Sequence, residues 1–165
     1  GDELIQEIEQ EGAIEEKEVV IEIRRVTKVT KGGKRLKFRA VIACGNQKGE
    51  AGFGVGKASE VPEAIRKARE KANRNRMRIS LKGTTIKSSI DAKYGASYVI
   101  LKPAPKGHGL VAGKTMRAIL EVFGVRDAVC KVIGSTSTIN VLNATCKALK
   151  FMELKENKSV ENPQS

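Results

Sequence analysis

The 165-residue chain has no tryptophan, two tyrosines, four phenylalanines and a single histidine. So few rings make base stacking, the usual way to hold single-stranded nucleic acid, a weak basis for any binding surface. Phe38, Phe53 and Phe123 moreover fall on faces that read as core. The histidine, His108, sits between Gly107 and Gly109 with no serine, cysteine or carboxylate at motif spacing. Acid–base and nucleophilic catalysis are thus left almost without a candidate. Cys44, Cys130 and Cys146 form no Cys-x-x-Cys pair, so neither a disulfide framework nor a zinc site is expected, and the thiols read as reduced, small core residues. No apolar run approaches the roughly 20 residues that cross a bilayer. No charged-then-apolar leader opens the chain either, and an integral membrane protein is not expected.

Positive charge is what the chain has in excess, with 31 Lys and Arg against 19 Asp and Glu and a net charge of +12. It is unevenly spread. Residues 1–18 hold eight acids and one base, residues 19–82 hold 18 bases and five acids, and residues 83–165 hold 12 and six. A folded region this basic implies a polyanionic partner. A membrane surface is the competing polyanion, but nothing resembles an amphipathic anchor or a lipidation site, which favours nucleic acid. From Lys71 to Lys82 there are five bases and no acid, whereas a merely solvated helix face interleaves both signs. Cations on one surface bind phosphates by releasing counterions, strongly and with little base specificity. Structured RNA, read by shape and backbone, suits this composition better than single strands.

Period-two alternation begins at Val19 and slips at Arg24-Arg25, which suggests a bulge or a strand end there. Lys31 to Arg35 reads as a turn into a strand whose Leu36, Phe38, Ala40, Ile42 and Cys44 share a face opposite Lys37 and Arg39. After a turn at Gly45–Gly49, a third strand places Ala51, Phe53 and Val55 on one face and Gly52, Gly54 and Gly56 on the other. Ser59, Glu60 and Pro62 then start a helix with Val61, Ile65, Ala68 and Ala72 inward and Arg66, Lys67, Arg69, Lys71, Arg74, Arg76 and Arg78 off that stripe. Lys82 to Ala96 is polar and reads as a connector. A second unit has strands at Ser97–Lys102 and Ala128–Ile133. One helix carries Met116, Ile119, Leu120 and Phe123 and is capped by Gly124. A last helix carries Val141, Leu142, Thr145, Leu149 and Met152. The class is α+β. The expected divisions are an acidic extension 1–18, a first domain 19–82, a connector 83–96, a second domain 97–152 and a frayed tail 153–165.

Gly52-Phe53-Gly54-Val55-Gly56-Lys57 fails as a nucleotide loop. Position 51 is alanine where the phosphate loop needs glycine, and position 58 is alanine where it needs Ser or Thr. The dinucleotide and ribonucleoprotein sheet patterns fail as well. A strand face stripped of side chains admits either an RNA backbone or another chain segment, and the residues leave both open.

Taken in order, several stretches resemble one family. They are Arg24–Gly33, Gly52–Ala58, Glu60–Ile65, Lys102–Pro105, Ala112-Gly113, Met116–Glu121 and Gly134-Ser135. Their collinear run from about Val19 to Leu149 is similar to bacterial-type small-subunit ribosomal protein five. The resemblance implies a double-stranded-RNA-binding-like domain followed by a C-terminal α+β domain with a left-handed βαβ crossover. It implies a non-catalytic constituent of the small ribosomal subunit, without cofactor or small-molecule substrate and with no membrane partner. Such a protein binds small-subunit ribosomal RNA, touches small-subunit ribosomal proteins four and eight, and contributes to translation accuracy and body–head organisation.

Arg24, Arg25, Lys28, Lys31, Gly32, Gly33, Lys34 and Arg35 would then reach RNA from the first hairpin. Gly52, Gly54, Gly56 and Lys57 would lie along RNA, and Arg66, Arg69, Arg74 and Arg76 would face it from the helix. Lys114, which stands where the family has glycine, and Arg117 complete the set. The acidic head lies outside the resemblance and points to an organellar ribosome, plastid before mitochondrion, with a bacterial one as the other option. Two rival readings are a free-standing double-stranded-RNA-binding protein using residues 19–82, and a kinase-like enzyme on the second fold. The enzyme would need the phosphate loop that the chain lacks.

Overall fold

A computed structural model describes residue 3 and residues 16–161. The chain divides into two compact units between Arg78 and Ile79. In the first, strands β1 (Lys17–Thr30), β2 (Gly33–Gly45), β3 (Glu50–Ala58) and β4 (Arg76–Arg78) form one antiparallel sheet in that order. Helix α1 (Val61–Arg74) lies on one face. Gly33, at φ +123°, allows the tight return at Lys31-Gly32. The next turn is held by the Asn46 side-chain oxygen, which accepts the N–H groups of Lys48 at 2.8 Å and Glu50 at 3.1 Å.

The core of this unit is small-residue packing. Ala40, Ile42, Ala58, Ala64 and Ala68 are buried together, with Phe38 and Ile65 partly buried against them. Ala64, Ala68 and Ala72 recur every four residues and form the buried face of α1, so the inward stripe sits one residue before the expected Ile65, and Val61 and Ile65 are only half-buried. The β-bulge also moves. Pairing jumps from Val20–Ile42 to Glu22–Val41, so Ile21 is the inserted residue, while Arg24 and Arg25 stand in regular register opposite Arg39 and Phe38. The apolar run Val19-Val20-Ile21 hides the alternation, and the bulge lets Ile21 turn fully inward.

The second unit holds the hairpin β5 (Leu81–Lys82) and β6 (Thr85–Ile86). It also holds a sheet of β7 (Ile90–Tyr94), β8 (Ser97–Pro103), β9 (Leu110–Val111) and β10 (Ala128–Gly134) in the order β7-β8-β10-β9. Helix α2 (Lys114–Phe123) joins the parallel neighbours β9 and β10, and α3 (Thr138–Glu161) packs on β7, β8 and α2. The expected inward residues of both helices are buried, and Gly124 caps α2 at φ +96°. Asp127, itself buried, gathers the loops at one end of this sheet. It accepts the Thr84 hydroxyl at 2.5 Å and the Gly109 N–H at 2.8 Å. Those hydrogen bonds, the Thr84 one foremost, hold its carboxyl below the usual 3.8.

The element bounds correct the expected divisions. Lys17 and Glu18 already belong to β1. Leu81 and Lys82 pair with β6 in the second unit rather than closing the first. Residues 83–96 contain β6 and the edge strand β7, whose polar outer positions disguised it as a connector. Helix α3 continues past Met152 to Glu161, its interaction with the rest of the unit including the Glu153 carboxylate, which accepts the Ser80 N–H at 2.5 Å. Most of the acidic extension and residues 162–165 lie outside the described residues. No helix among the described residues is long and apolar enough to cross a membrane.

Candidate nucleic-acid interface

β1 and β2 outrun the rest of their sheet. β2 pairs with β3 only as far as Phe38–Ala58, whereas β1 and β2 stay paired out to Thr30–Gly33. The five residues from Gly33 to Lys37 therefore extend the hairpin by about 17 Å as a two-stranded arm. Lys31, Gly32, Gly33, Lys34 and Arg35 lie exposed along it, Arg24 and Arg25 are exposed at its base, and the Lys28 backbone pairs opposite Arg35. Thr30 Oγ1 donates to the Gly33 carbonyl at 2.9 Å and ties the tip. Among the described residues, no carboxylate pairs with Arg24, Arg25, Lys31, Lys34 or Arg35.

At the base of the arm the register makes a second feature. Arg24 stands directly opposite Arg39, and Arg39 directly opposite Lys57, so three cations from three strands line up on the face away from α1. Like charges in opposed cross-strand positions repel and destabilise a sheet. Glu22 offsets part of this through a 3.3 Å ion pair with Arg39, while Arg39 Nε is a buried nitrogen without a hydrogen bond. The row and the arm together form a cationic strip suited to successive phosphates. Composition and spacing alone do not single out Arg39. Its alternation with Phe38 showed which face it occupies, but the row exists only once the register of three strands is known.

Two other expected groups behave differently. Gly52, Gly54 and Gly56 do not offer an open face. A Cβ at any of them would stand within 3.0 Å of the Ala72, Ala68 or Ala64 backbone. The glycines admit α1, and of the two readings left open, the chain segment is the one found. Lys57, on the opposite face of β3, remains exposed.

The arginines of α1 and its C-terminal flank are occupied by carboxylates of the same chain. Arg66 bonds Glu63 at 3.1 Å and Glu70 at 2.6 Å, and Arg74 lies 3.8 Å from Glu70. Arg69 donates to both oxygens of Glu18 at 2.6 and 3.1 Å, and Arg76 pairs with Glu16. Those hydrogen bonds raise the pKa values of Arg69 and Arg76 and lower that of Glu63.

Two family models match the chain: the ribosomal protein S5 N-terminal domain over residues 16–80 and its C-terminal domain over residues 92–161. The chain belongs to the ribosomal protein S5 family. Among its relatives, the small ribosomal subunit protein uS5 of Campylobacter jejuni strains 81-176 and RM1221 is 47% identical over 136 residues, covering 82% of this chain and 92% of the relative.

In the C-terminal S5 unit, Lys114 and Arg117 are exposed at the start of α2, away from the arm in sequence and in a separate unit. Lys114 lines a cleft of about 390 Å³ together with Thr115, Val132, Thr136 and Val141. Arg117 reaches back to the Ala112 carbonyl at 3.4 Å. His108 lies exposed in its loop, its N–H bonded to the Pro105 carbonyl at 3.1 Å. The three cysteines are free thiols. Burial pushes Cys130 up to about 11 and Cys146 up to about 12, and raises Cys44 against the opposing pull of Arg76. Among the described residues no cluster of His, Cys, Asp and Glu could hold a metal ion.

Proposed function

We propose that this S5-family chain serves as a structural constituent of the small ribosomal subunit, holding ribosomal RNA by its phosphates and catalysing no reaction. The observation that carries this reading is the exposed arm whose cations continue into the Arg24–Arg39–Lys57 row. Relatives named for the small subunit, matched along most of their length, support it. A free-standing RNA-binding protein would need only the first unit, whereas both S5 domains are matched here in order.

In this reading the arm enters a groove or junction of folded RNA while the row seats the backbone beside it. Small-subunit ribosomal proteins four and eight are its protein neighbours, and its placement there contributes to decoding accuracy and to the link between body and head. The ribosome is of bacterial type, as the 47% identity to bacterial relatives supports. The plastid expectation rests on the acidic extension, and organelle fractionation of the source cell decides it.

The test has two arms. The full chain should cosediment with small subunits at moderate salt, and recovery only in the ribosome-free fraction would refute the role. In a titration against ribosomal RNA fragments, replacing Lys31, Lys34 and Arg35 with alanine should flatten the log–log salt slope by roughly 2 to 3, close to one counterion for each lost phosphate contact. An unchanged slope would remove the arm from the interface.

A further inference from the structure

We infer that Arg69 and Arg76 form a latent RNA-phosphate site, held shut in the free protein by the chain's own Glu18 and Glu16. This deepens the RNA-binding reading and rests on it. The two arginines are seven positions apart, at the C-terminal end of α1 and just beyond it, and both are held by carboxylates more than fifty positions away in the chain. Glu18 takes Arg69 in a two-pronged grip, with bonds of 2.6 and 3.1 Å. Glu16 takes Arg76, whose guanidinium also donates to Asn73 Oδ1 at 2.9 Å and so stays oriented.

The arrangement imitates a bound nucleic-acid strand. Glu16 and Glu18 are two residues apart on extended chain, about 7 Å, a separation like that of neighbouring phosphates. Each offers two anionic oxygens to a fork-shaped donor that suits carboxylate and phosphate equally. The pairs differ from those of Arg66 and Arg74, whose acids Glu63 and Glu70 lie on the same helix and travel with it. Glu18 is paired in β1 opposite Cys44 and Glu16 lies one residue before that strand. The two carboxylates thus sit on a different element from the arginines and can swing away by side-chain rotation while the helix stays. The carboxylates of both pairs are reached by solvent, Glu18 and Glu16 being about a third to a half exposed. Surface pairs of this kind hold weakly against competing ions, so a polyanion presenting many phosphates would displace them. The consequence is selectivity. A stray RNA that meets only the arm gains nothing from α1, and an RNA that spans both surfaces opens the second site.

The full chain, a Glu16→Gln/Glu18→Gln variant, an Arg69→Gln/Arg76→Gln variant and the combination of all four substitutions would be titrated by fluorescence anisotropy against a duplex-containing small-subunit ribosomal RNA fragment across a four-fold range of salt. In the parent the RNA must displace two carboxylates that the acid-neutralised variant lacks, so that variant should bind roughly 2- to 30-fold more tightly at a given salt, the range expected for two surface ion pairs. The gain should vanish in the four-fold variant. A parent-like affinity in the acid-neutralised variant overturns the latent site, as does a gain that survives loss of both arginines, since that is a diffuse charge effect. Failure of parent and variants alike to bind the RNA overturns the underlying RNA reading as well, so the two failures are distinct. Thermal unfolding of each variant separates lost binding from lost fold.

Discussion

Replacing Gly54 with alanine puts the close approach of β3 and α1 to a quantitative test. The new Cβ would lie within 3.0 Å of the Ala68 carbonyl and 2.6 Å from the Ala72 nitrogen. Both neighbours are backbone atoms, so no rotamer change can clear them, and the helix must lift from Ala40 and Ile42, which are fully buried beneath it. Overpacking a core costs about 1–3 kcal/mol, and backbone on both sides places this case near the upper end. Alanine returns about 0.5–1 kcal/mol, because glycine is the costlier residue to order in a strand. The net loss is about 2 kcal/mol. For a unit of this size each kcal/mol moves the midpoint by roughly 4–8 °C, so thermal unfolding of the full chain should show the first unit melting roughly 8–16 °C lower. Gly32→Ala is the control, because nothing lies within 4 Å of a Cβ there, and its change should stay within about 0.5 kcal/mol. A Gly54→Ala protein that melts with the parent yet binds RNA poorly would refute the reasoning and return the glycine face to RNA.

Three further outcomes follow from the same structure. Asp127→Asn should destabilise the second unit at neutral pH, since an amide cannot accept from both the Thr84 hydroxyl and the Gly109 N–H with the strength of a carboxylate. The folded-state pKa of Asp127 lies below its ordinary 3.8, so its contribution is present above that value and fades as pH falls through the lower folded one. Urea unfolding of parent and variant should therefore converge at acid pH, and a gap that persists there would show that charge is not what Asp127 supplies. Native protein at pH 8 should give almost no rapid colour with a thiol reagent, because Cys130 and Cys146 stay protonated up to about 11 and 12. Prompt reaction of Cys130 or Cys146 before unfolding would contradict their raised pKa values. Arg39→Ala should weaken RNA binding while relieving repulsion from Arg24 and Lys57, and a variant with unchanged RNA affinity would take the cross-strand row out of the interface.

Much of this protein can be read along one dimension. The helical spacing of Met116–Phe123 and Val141–Met152 repeats within a few residues, and local geometry alone converts it into buried faces. The alternation at Leu36–Cys44 and Gly52–Ala58, by contrast, marks the strands but leaves Leu36 exposed and Phe53 and Val55 half-buried. The excess of basic residues, too, implies a polyanion whatever the fold. Other features depend on what a residue meets from a distant part of the chain. The polar segment 83–96 became a sheet edge because β8 offered it hydrogen bonds. The glycine stripe turned from a nucleic-acid surface into a seat for α1 because Ala64, Ala68 and Ala72 are small enough to let two backbones touch. Charge shows the difference most plainly. Counting cations ranks the helix arginines equal to those of the hairpin, but a cation's availability depends on which carboxylate folding brings beside it. Glu16 and Glu18 reach Arg76 and Arg69 across more than fifty residues, while the arm extends beyond every acid among the described residues that could neutralise its cations.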